Sequence, residues 1–422
     1  MAKKTSQYKT RMKFFLSILF YIAFINFSQA QTYTLDHYLL IAKNSSPLLK
    51  DFKNQVLSSR LDSLRLRAGL QPQVNGNGAG LFAPSYNGFG YAGAITNVHT
   101  LSALVSASKA LVRKDIVNSQ LAAIDLQRDS IVNLSKISEH DLKKAITAQY
   151  ITAYGSLQAW KFSKEVVELL GKEEELLKNL TRANVYRQSD YLTFLVTLKQ
   201  QELQIVLARQ QYKNDYTTLN FLTGIADTTI IELVKPELEQ LQLPDLSDNI
   251  FFRKYQIDSL RLLNYRKLID FNYKPKANIF ADGGFETDFT STPYKNFGTS
   301  IGFNITIPIY DGGVRKIQYR RLALQEETRL NYRAFFNTQY QQQIAQLKQQ
   351  ISESGNLLKQ IEEEIKYSET LIKADTQLLQ TGDLKIADFV LAVNNYLAVK
   401  NLLTTTNVNK MQLINQLNYW NK

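Results

Sequence analysis

Residues 297–307 read Phe-Gly-Thr-Ser-Ile-Gly-Phe-Asn-Ile-Thr-Ile, and this alternation limits the folds open to the chain more than any other feature. Successive side chains of a strand point to opposite faces, so Phe297, Ile301, Phe303, Ile305 and Ile307 share one face. Gly298, Ser300, Gly302, Asn304 and Thr306 occupy the other. About 9–11 tilted residues cross the hydrocarbon of a bilayer, and a wall between lipid and a wet lumen needs apolar residues outside and small polar residues inside. A half-buried strand of a soluble sheet alternates in the same way. The run closes on Pro308-Ile309-Tyr310-Asp311-Gly312-Gly313-Val314-Arg315 and opens into a long helical pattern.

The chain begins with the pattern of an export signal. Lys3, Lys4, Lys9, Arg11 and Lys13 precede an apolar stretch from Phe14 to Phe27, followed by Ser28-Gln29-Ala30. Small residues at 28 and 30 predict cleavage before Gln31, and the apolar core is short for a membrane anchor. Removal of residues 1–30 takes five positive and no negative charges from the net +12, leaving +7. The remaining basic residues form no dense cluster, so no nucleic-acid partner is expected.

The sequence has no cysteine, which excludes disulfides, thiolate metal sites and a lipid-modified N-terminal cysteine. His37, His99 and His140 stand apart, without a partner at helical spacing. No cofactor, metal site or acid-base constellation is expected. No stretch after residue 30 is apolar enough for a membrane helix, so entry of this chain into a bilayer requires strands.

From residue 31 the pattern runs helix, strand pair, long helix, break, helix, and then repeats. Leu70-Gln71-Pro72-Gln73-Val74 aligns with Tyr273-Lys274-Pro275-Lys276-Ala277, the prolines lying 203 positions apart. Leu111-Val112-Arg113-Lys114 aligns with Gly313-Val314-Arg315-Lys316 at an offset of 202, and Asn184 to Leu192 with Gly382 to Val390 at 198. Three landmarks at nearly one offset predict a duplication, with repeats at 31–234 and 249–422. The connector is 235–248, where Pro236 and Pro244 fall among mixed charges.

The helix after Gly313 runs to about Thr381, roughly 100 Å at 1.5 Å per residue. Ile344, Leu347, Ile351, Leu358, Ile361, Ile365, Ile372 and Leu379 fall on steps of three and four, with Ser354, Ser368 and Asp375 between them. That is the register of a helix-helix seam with some polar positions. Asn184 and Gly382 tolerate positive φ where the long helices stop. Asp190 and Asp388 then fall in the first turn of the returning helix, where negative charge suits the dipole. Thr223-Gly224 marks a further helix end.

The strands form two hairpins. Val74–Phe82 and Leu101–Ser108 flank a Gly, Ser and Tyr-rich loop at 83–97, and Ala277–Phe289 precedes a turn at 291–296 and the run at 297–307. Known membrane barrels need about eight strands or more, so a chain contributing four must oligomerise to close a wall.

With these features the mature chain resembles the TolC family of outer-membrane efflux proteins over essentially its whole length. Pro308 to Arg315 resembles the family's strand-to-helix motif, with Pro308, Tyr310, Asp311, Gly312 and Gly313 at the junction. Thr381-Gly382-Asp383-Leu384-Lys385-Ile386-Ala387-Asp388 resembles its helical tip. The resemblance implies a mainly α fold with membrane β: long coiled-coil helices forming an α-barrel, and four strands per chain in a trimeric twelve-stranded β-barrel. It implies a homotrimer in outer-membrane lipid with a long periplasmic extension, docking a periplasmic adaptor of an inner-membrane pump. The docking candidates are Asn184, Val185, Gly382, Asp383 and Leu384. Asp388 matches an acidic ring position at the narrow end, Asp190 is its counterpart in the first repeat, and Leu391 stands where some members carry another acid. Carboxylates brought close there would raise each other's pKa.

Gly312-Gly313 is not a phosphate loop, because Val314-Arg315 replaces the required Lys-Ser/Thr pair. Two function classes remain at this stage. One is a passive outer-membrane duct of an efflux or type I secretion system. The other is an exported soluble coiled-coil structural protein, which would leave the apolar face of 297–307 in water.

Overall fold

The computed structural model describes residues 33–421, apart from 85, 90–97, 228, 243, 245–248 and 289–292. The expected leader at 1–30, most of the loop tip at 83–97 and the expected strand end at Phe289 lie outside the described residues. The elements are α1 (Leu35–Ser45), α2 (Pro47–Gly69), β1 (Gln73–Ala83), β2 (Val98–Leu111), α3 (Lys114–Arg182), α4 (Gln188–Thr223), α5 (Ile250–Asn272), β3 (Lys276–Thr287), β4 (Phe297–Thr306), α6 (Val314–Thr381) and α7 (Ile386–Tyr419). A short 3₁₀ turn, Pro293–Lys295, precedes β4. No helix among the described residues is long and apolar enough to cross a membrane.

Several boundaries differ from the sequence reading. The single helix expected before the first strand is broken by Pro47, and Ser46 caps the second piece by accepting the Leu49 N–H at 3.4 Å. Proline favours the first helical position because its missing N–H is an orphan there anyway. β2 reaches Val98 and Leu111 rather than Leu101–Ser108, because β1 and β3 offer ladder partners along its whole length. β4 ends at Thr306, one residue before the alternation does. The irregular stretch before α5 starts at Gly224, whose φ of 77° ends α4. The described residues of the expected connector at 235–248, namely 235–242 and 244, belong to this irregular stretch.

The chain divides into two compact units. One comprises residues up to Ser45, Lys143–Glu239 and Gln350–Asn415; the other comprises Ser46–Leu142, Gln240–Gln349 and the stretch from Gln416.

In the first unit, Val166, Leu170 and Leu177 of α3, Phe194 and Leu198 of α4, Ile372 and Leu379 of α6 and Phe389 and Val393 of α7 form one apolar cluster. The expected seam residues of α6 from Ile351 to Leu379 are buried, as is Asp375 at 8% exposure. A knot of tyrosines pins the irregular stretch: Tyr150 donates to the Val234 carbonyl at 2.7 Å, and Tyr212 donates to that of Ile231. Ser45 Oγ donates to the Thr223 carbonyl at 2.9 Å, tying the end of α1 to the end of α4.

In the second unit the strands pair antiparallel in chain order, β1-β2-β3-β4, leaving β1 and β4 as edges. Rings of Phe251, Phe252, Tyr340 and Trp420 pack with centroids about 5 Å apart. Asn133 and Asn264 reach between helices, donating to the Ile250 and Ser119 carbonyls at 3.1 and 2.9 Å. These bonds satisfy the two amide nitrogens, which would be costly to leave unpaired inside a helical packing.

Candidate functional site

The sheet is a two-faced wall. Its register sets Phe285 opposite Phe297, Ala281 opposite Ile301, Ile279 opposite Phe303 and Ala277 opposite Ile305. On the same face β2 presents Leu101, Val105 and Leu111 to β1 and β3. The opposite face carries Asn77, Ser106, Asp282 and Ser300. Asn77 donates to Ser106 Oγ and Ser300 donates to Asp282 Oδ2, each at 3.0 Å. The apolar face is uncovered: Ile301 is 88% exposed and Phe303 72%. The alternation of 297–307 thus continues into the neighbouring strands, since a shared register keeps each parity on one side, although Leu81, Leu104 and Phe280 interrupt the polar face.

At the strand-to-helix junction, Gly312 and Gly313 have φ of 64° and 87°, and an added Cβ at either meets no atom within 4 Å. Backbone conformation therefore demands glycine here, rather than crowding. Asp311 closes the turn: its carboxylate accepts the Gly313 N–H at 2.9 Å and the Arg315 N–H at 2.7 Å. Those bonds, led by the Arg315 N–H, hold the Asp311 carboxyl below its usual range. Arg315 donates to Asp270 Oδ1 at 2.6 Å, and Tyr319 also donates to that oxygen, so the first turn of α6 is locked to the last turn of α5. Tyr319 and then Arg315 pull the Asp270 carboxyl down. Pro308 and Tyr310 are exposed where the chain leaves the sheet. Asp270 was not singled out from sequence, because its partner lies 45 residues away.

The helical tip contains two copies of one turn. Asn184 has φ of 62° and Gly382 has φ of 82°. Val185 N–H donates back to the Leu180 carbonyl at 2.9 Å, and Asp383 N–H donates to that of Leu378 at 3.0 Å, the long bond of a Schellman motif in each case. The turns pack directly, for a Cβ added to Gly382 would lie 2.7 Å from Val185 Cγ1. The Tyr186 hydroxyl lies 3.0 Å from the Leu379 carbonyl and 2.9 Å from that of Leu384, so whichever it donates to, it joins the two hairpins. Thr381 Oγ1 donates to Asp383 Oδ2 at 2.7 Å. Asn184, Val185, Gly382, Asp383 and Leu384 are thereby brought into one patch.

The acidic candidates occupy the first turns expected of them, Asp190 in α4 and Asp388 in α7. Asp190 accepts from Ser189 Oγ at 3.2 Å. Asp388 is exposed and faces Asp375, whose carboxyl is raised by burial and then by the Asp388 charge. Glu173, 8% exposed between Leu170 and Leu177 on α3, is likewise raised by burial. The sequence reading recorded Asp375 only as a polar break in the seam and overlooked Glu173. The signal available was a carboxylate on an apolar stripe in both long helices, 202 residues apart.

No family model matches the sequence, and neither does any curated protein. Solved structures do match. CusC, described for its conformational changes on folding and transmembrane channel formation, superposes with a TM-score of 0.75 at 12% identity, covering 92% of each chain. The outer-membrane protein VceC of Vibrio cholerae gives 0.72 at 13% identity, over 91% of this chain and 95% of that one. The open state of the MtrE outer-membrane channel of Neisseria gonorrhoeae gives 0.72 at 14% identity, over 91% and 88%. This chain shares their fold. Among the described residues the chain is mainly helical with four antiparallel strands, as expected from the sequence.

Proposed function

We propose that the chain is one protomer of a trimeric outer-membrane exit duct, a passive conduit with no chemistry of its own. The observation that carries this reading is the uncovered apolar face of the sheet, backed by a polar face and bounded by two open edges. In water such a face and such edges invite aggregation. In a bilayer the face is solvated by lipid, and the edges are satisfied when β1 of one copy pairs with β4 of the next. Three copies supply twelve strands, enough for a lumen lined by the polar face.

The long helices then form the periplasmic extension, and the paired turns at Asn184–Tyr186 and Gly382–Leu384 form its gated tip. Opening there is a rearrangement of hairpins, with the energy supplied by partners. The tip patch is the docking surface for a periplasmic adaptor of an inner-membrane pump. The fold shared with proteins described as outer-membrane channels supports this assignment. A soluble coiled-coil role fits the helices but assigns nothing to the apolar sheet face. Fractionation of the envelope and the mass of the detergent-extracted protein test the reading: a trimer in the outer membrane is expected, and a soluble monomer or dimer overturns it.

A further inference from the structure

We propose that the helix-side edge of the sheet holds a binding site for the phosphate of an anionic phospholipid, centred on Lys267, Lys274 and Arg315. The inference rests on the reading of the sheet as a lipid-facing wall and assigns that wall a preferred lipid.

The antiparallel register brings Gln73, Leu111, Lys276 and Thr306 to one edge of the sheet, where α2, α3, α5 and α6 join it. Cations gather at this edge. The only Lys or Arg residues within the four strands are Lys109 and Lys276, each within three residues of it. Lys109 lies opposite Ile279, on the apolar face. A lysine there buries its stem against lipid and extends its ammonium to the headgroups. Arg113, Lys114 and Lys316 follow on the adjoining helix starts.

A cleft of about 400 Å³ opens between the end of α5 and the start of α6, lined by Lys267, Asp270, Phe271, Tyr273, Lys274 and Arg315. Three of the lining residues are cations and one is a carboxylate; Arg315 is paired with Asp270 and Lys274 with Asp115, so Lys267 supplies the unpaired positive charge of the cleft. Rings carry two of the cations: Lys274 Nζ lies 4.5 Å from the centroid of Phe271, and the Arg315 guanidinium lies 5.2 Å from that of Tyr273. Lys274 also reaches Asp115 at 3.4 Å. Lys267 is exposed and has no ion-pair partner among the described residues.

A phosphodiester satisfies this set of groups, with the free Lys267 ammonium and the guanidinium fork as donors. A lipid fits better than a free anion, because apolar surface continues from the site. The chain passes from β4 to Arg315 through Ile307, Ile309 and Tyr310, which are 58%, 94% and 89% exposed. Strand carboxylates keep to the other face: Asp282 and Glu286 share it with Ser300 and Asn278.

The full chain in detergent is titrated with vesicles of phosphatidylcholine, with the same vesicles containing phosphatidylglycerol, and with inorganic phosphate. Insertion into both vesicles is expected, tighter with phosphatidylglycerol, and phosphate should not compete. Lys267→Gln should weaken the phosphatidylglycerol preference about fivefold, and Lys267→Gln with Lys274→Gln about 25-fold. The pair Lys172→Gln and Lys359→Gln should leave it unchanged. Equal affinity for both vesicles, or an equal loss from the control pair, overturns the site while leaving the duct intact. Competition by inorganic phosphate reassigns the cleft to a free anion and overturns the lipid assignment. Failure to insert into either vesicle overturns the duct reading as well.

Discussion

The hydroxyl of Tyr186 lies 2.9 Å from the carbonyl oxygen of Leu384, although the two residues are 198 apart in the chain. The same spacing separates Asn184 from Gly382, so Tyr186 touches the residue that takes its own place in the other hairpin. Burial, and then the Asp383 carboxylate, raise its pKa, so the hydroxyl stays a donor at neutral pH. Tyr186→Phe removes one donor without changing shape and should loosen the coupling of the hairpins by about 1 kcal/mol. Faster amide hydrogen exchange at 378–386, with the sheet unaffected, is the expected readout.

Gly382 allows the second tip turn both its backbone and its neighbour. Gly382→Val meets positive φ and Val185 Cγ1 at 2.7 Å together, and should destabilise the tip by about 2–3 kcal/mol. Asn184→Gly keeps the left-handed turn accessible and should change stability by only a few tenths of a kcal/mol. Thermal unfolding of the two variants separates these outcomes.

Carboxylates of the two units respond to pH with opposite sign. Glu173 and Asp375 are raised, so between the ordinary and raised values the folded tip binds more protons than the unfolded chain. Tip stability should therefore fall as pH rises through the raised values. Asp270 and Asp311 are depressed, so the junction keeps their contribution above the ordinary carboxylate range and loses it as pH falls through the depressed values. Hydrogen exchange followed region by region against pH should show the two trends. Asp375→Asn should flatten the first and leave the second.

Position within the sheet decides the cost of charge. Ile301→Lys places an ammonium on the apolar face and should cost about 2–4 kcal/mol of membrane insertion. Ser300→Lys points to the polar face and should be tolerated; on the duct reading it should change ion selectivity instead. Equal insertion of both variants into vesicles would count against the lipid-facing wall.

At the junction, Asp311→Ala strips acceptors from two N–H groups at the start of α6 and should cost about 1–2 kcal/mol. Val at both Gly312 and Gly313 forces β-branched residues to positive φ and should block assembly. Cross-linking of detergent extracts reports the oligomer, and normal assembly of the double variant would remove the glycines from this role.

Local chemistry made much of this legible in advance. The alternation of 297–307, the left-handed residues at 184 and 382 and the glycines at 312 and 313 each carry their meaning within a few residues. The break at Ser46-Pro47 is equally local, a capping serine followed by a proline, and the sequence reading passed over it. Other features depend on partners that sequence spacing does not pair. Tyr186 needs a carbonyl 193 or 198 residues away, and Asp270 needs Arg315 on another helix. Asp375 was visible as an interruption of the seam, but its proximity to Asp388 depends on how α6 and α7 face each other.

Among the described residues the strand order leaves β1 and β4 each paired with a strand on one side alone. Under the duct reading, a lone protomer has no stable place in the bilayer, because hydrocarbon cannot hydrate an open edge. Insertion and oligomerisation are then coupled, because an incomplete ring keeps open edges that hydrocarbon cannot satisfy. On that reading, the unpaired strands that draw the copies together would also guard a cell against half-built pores.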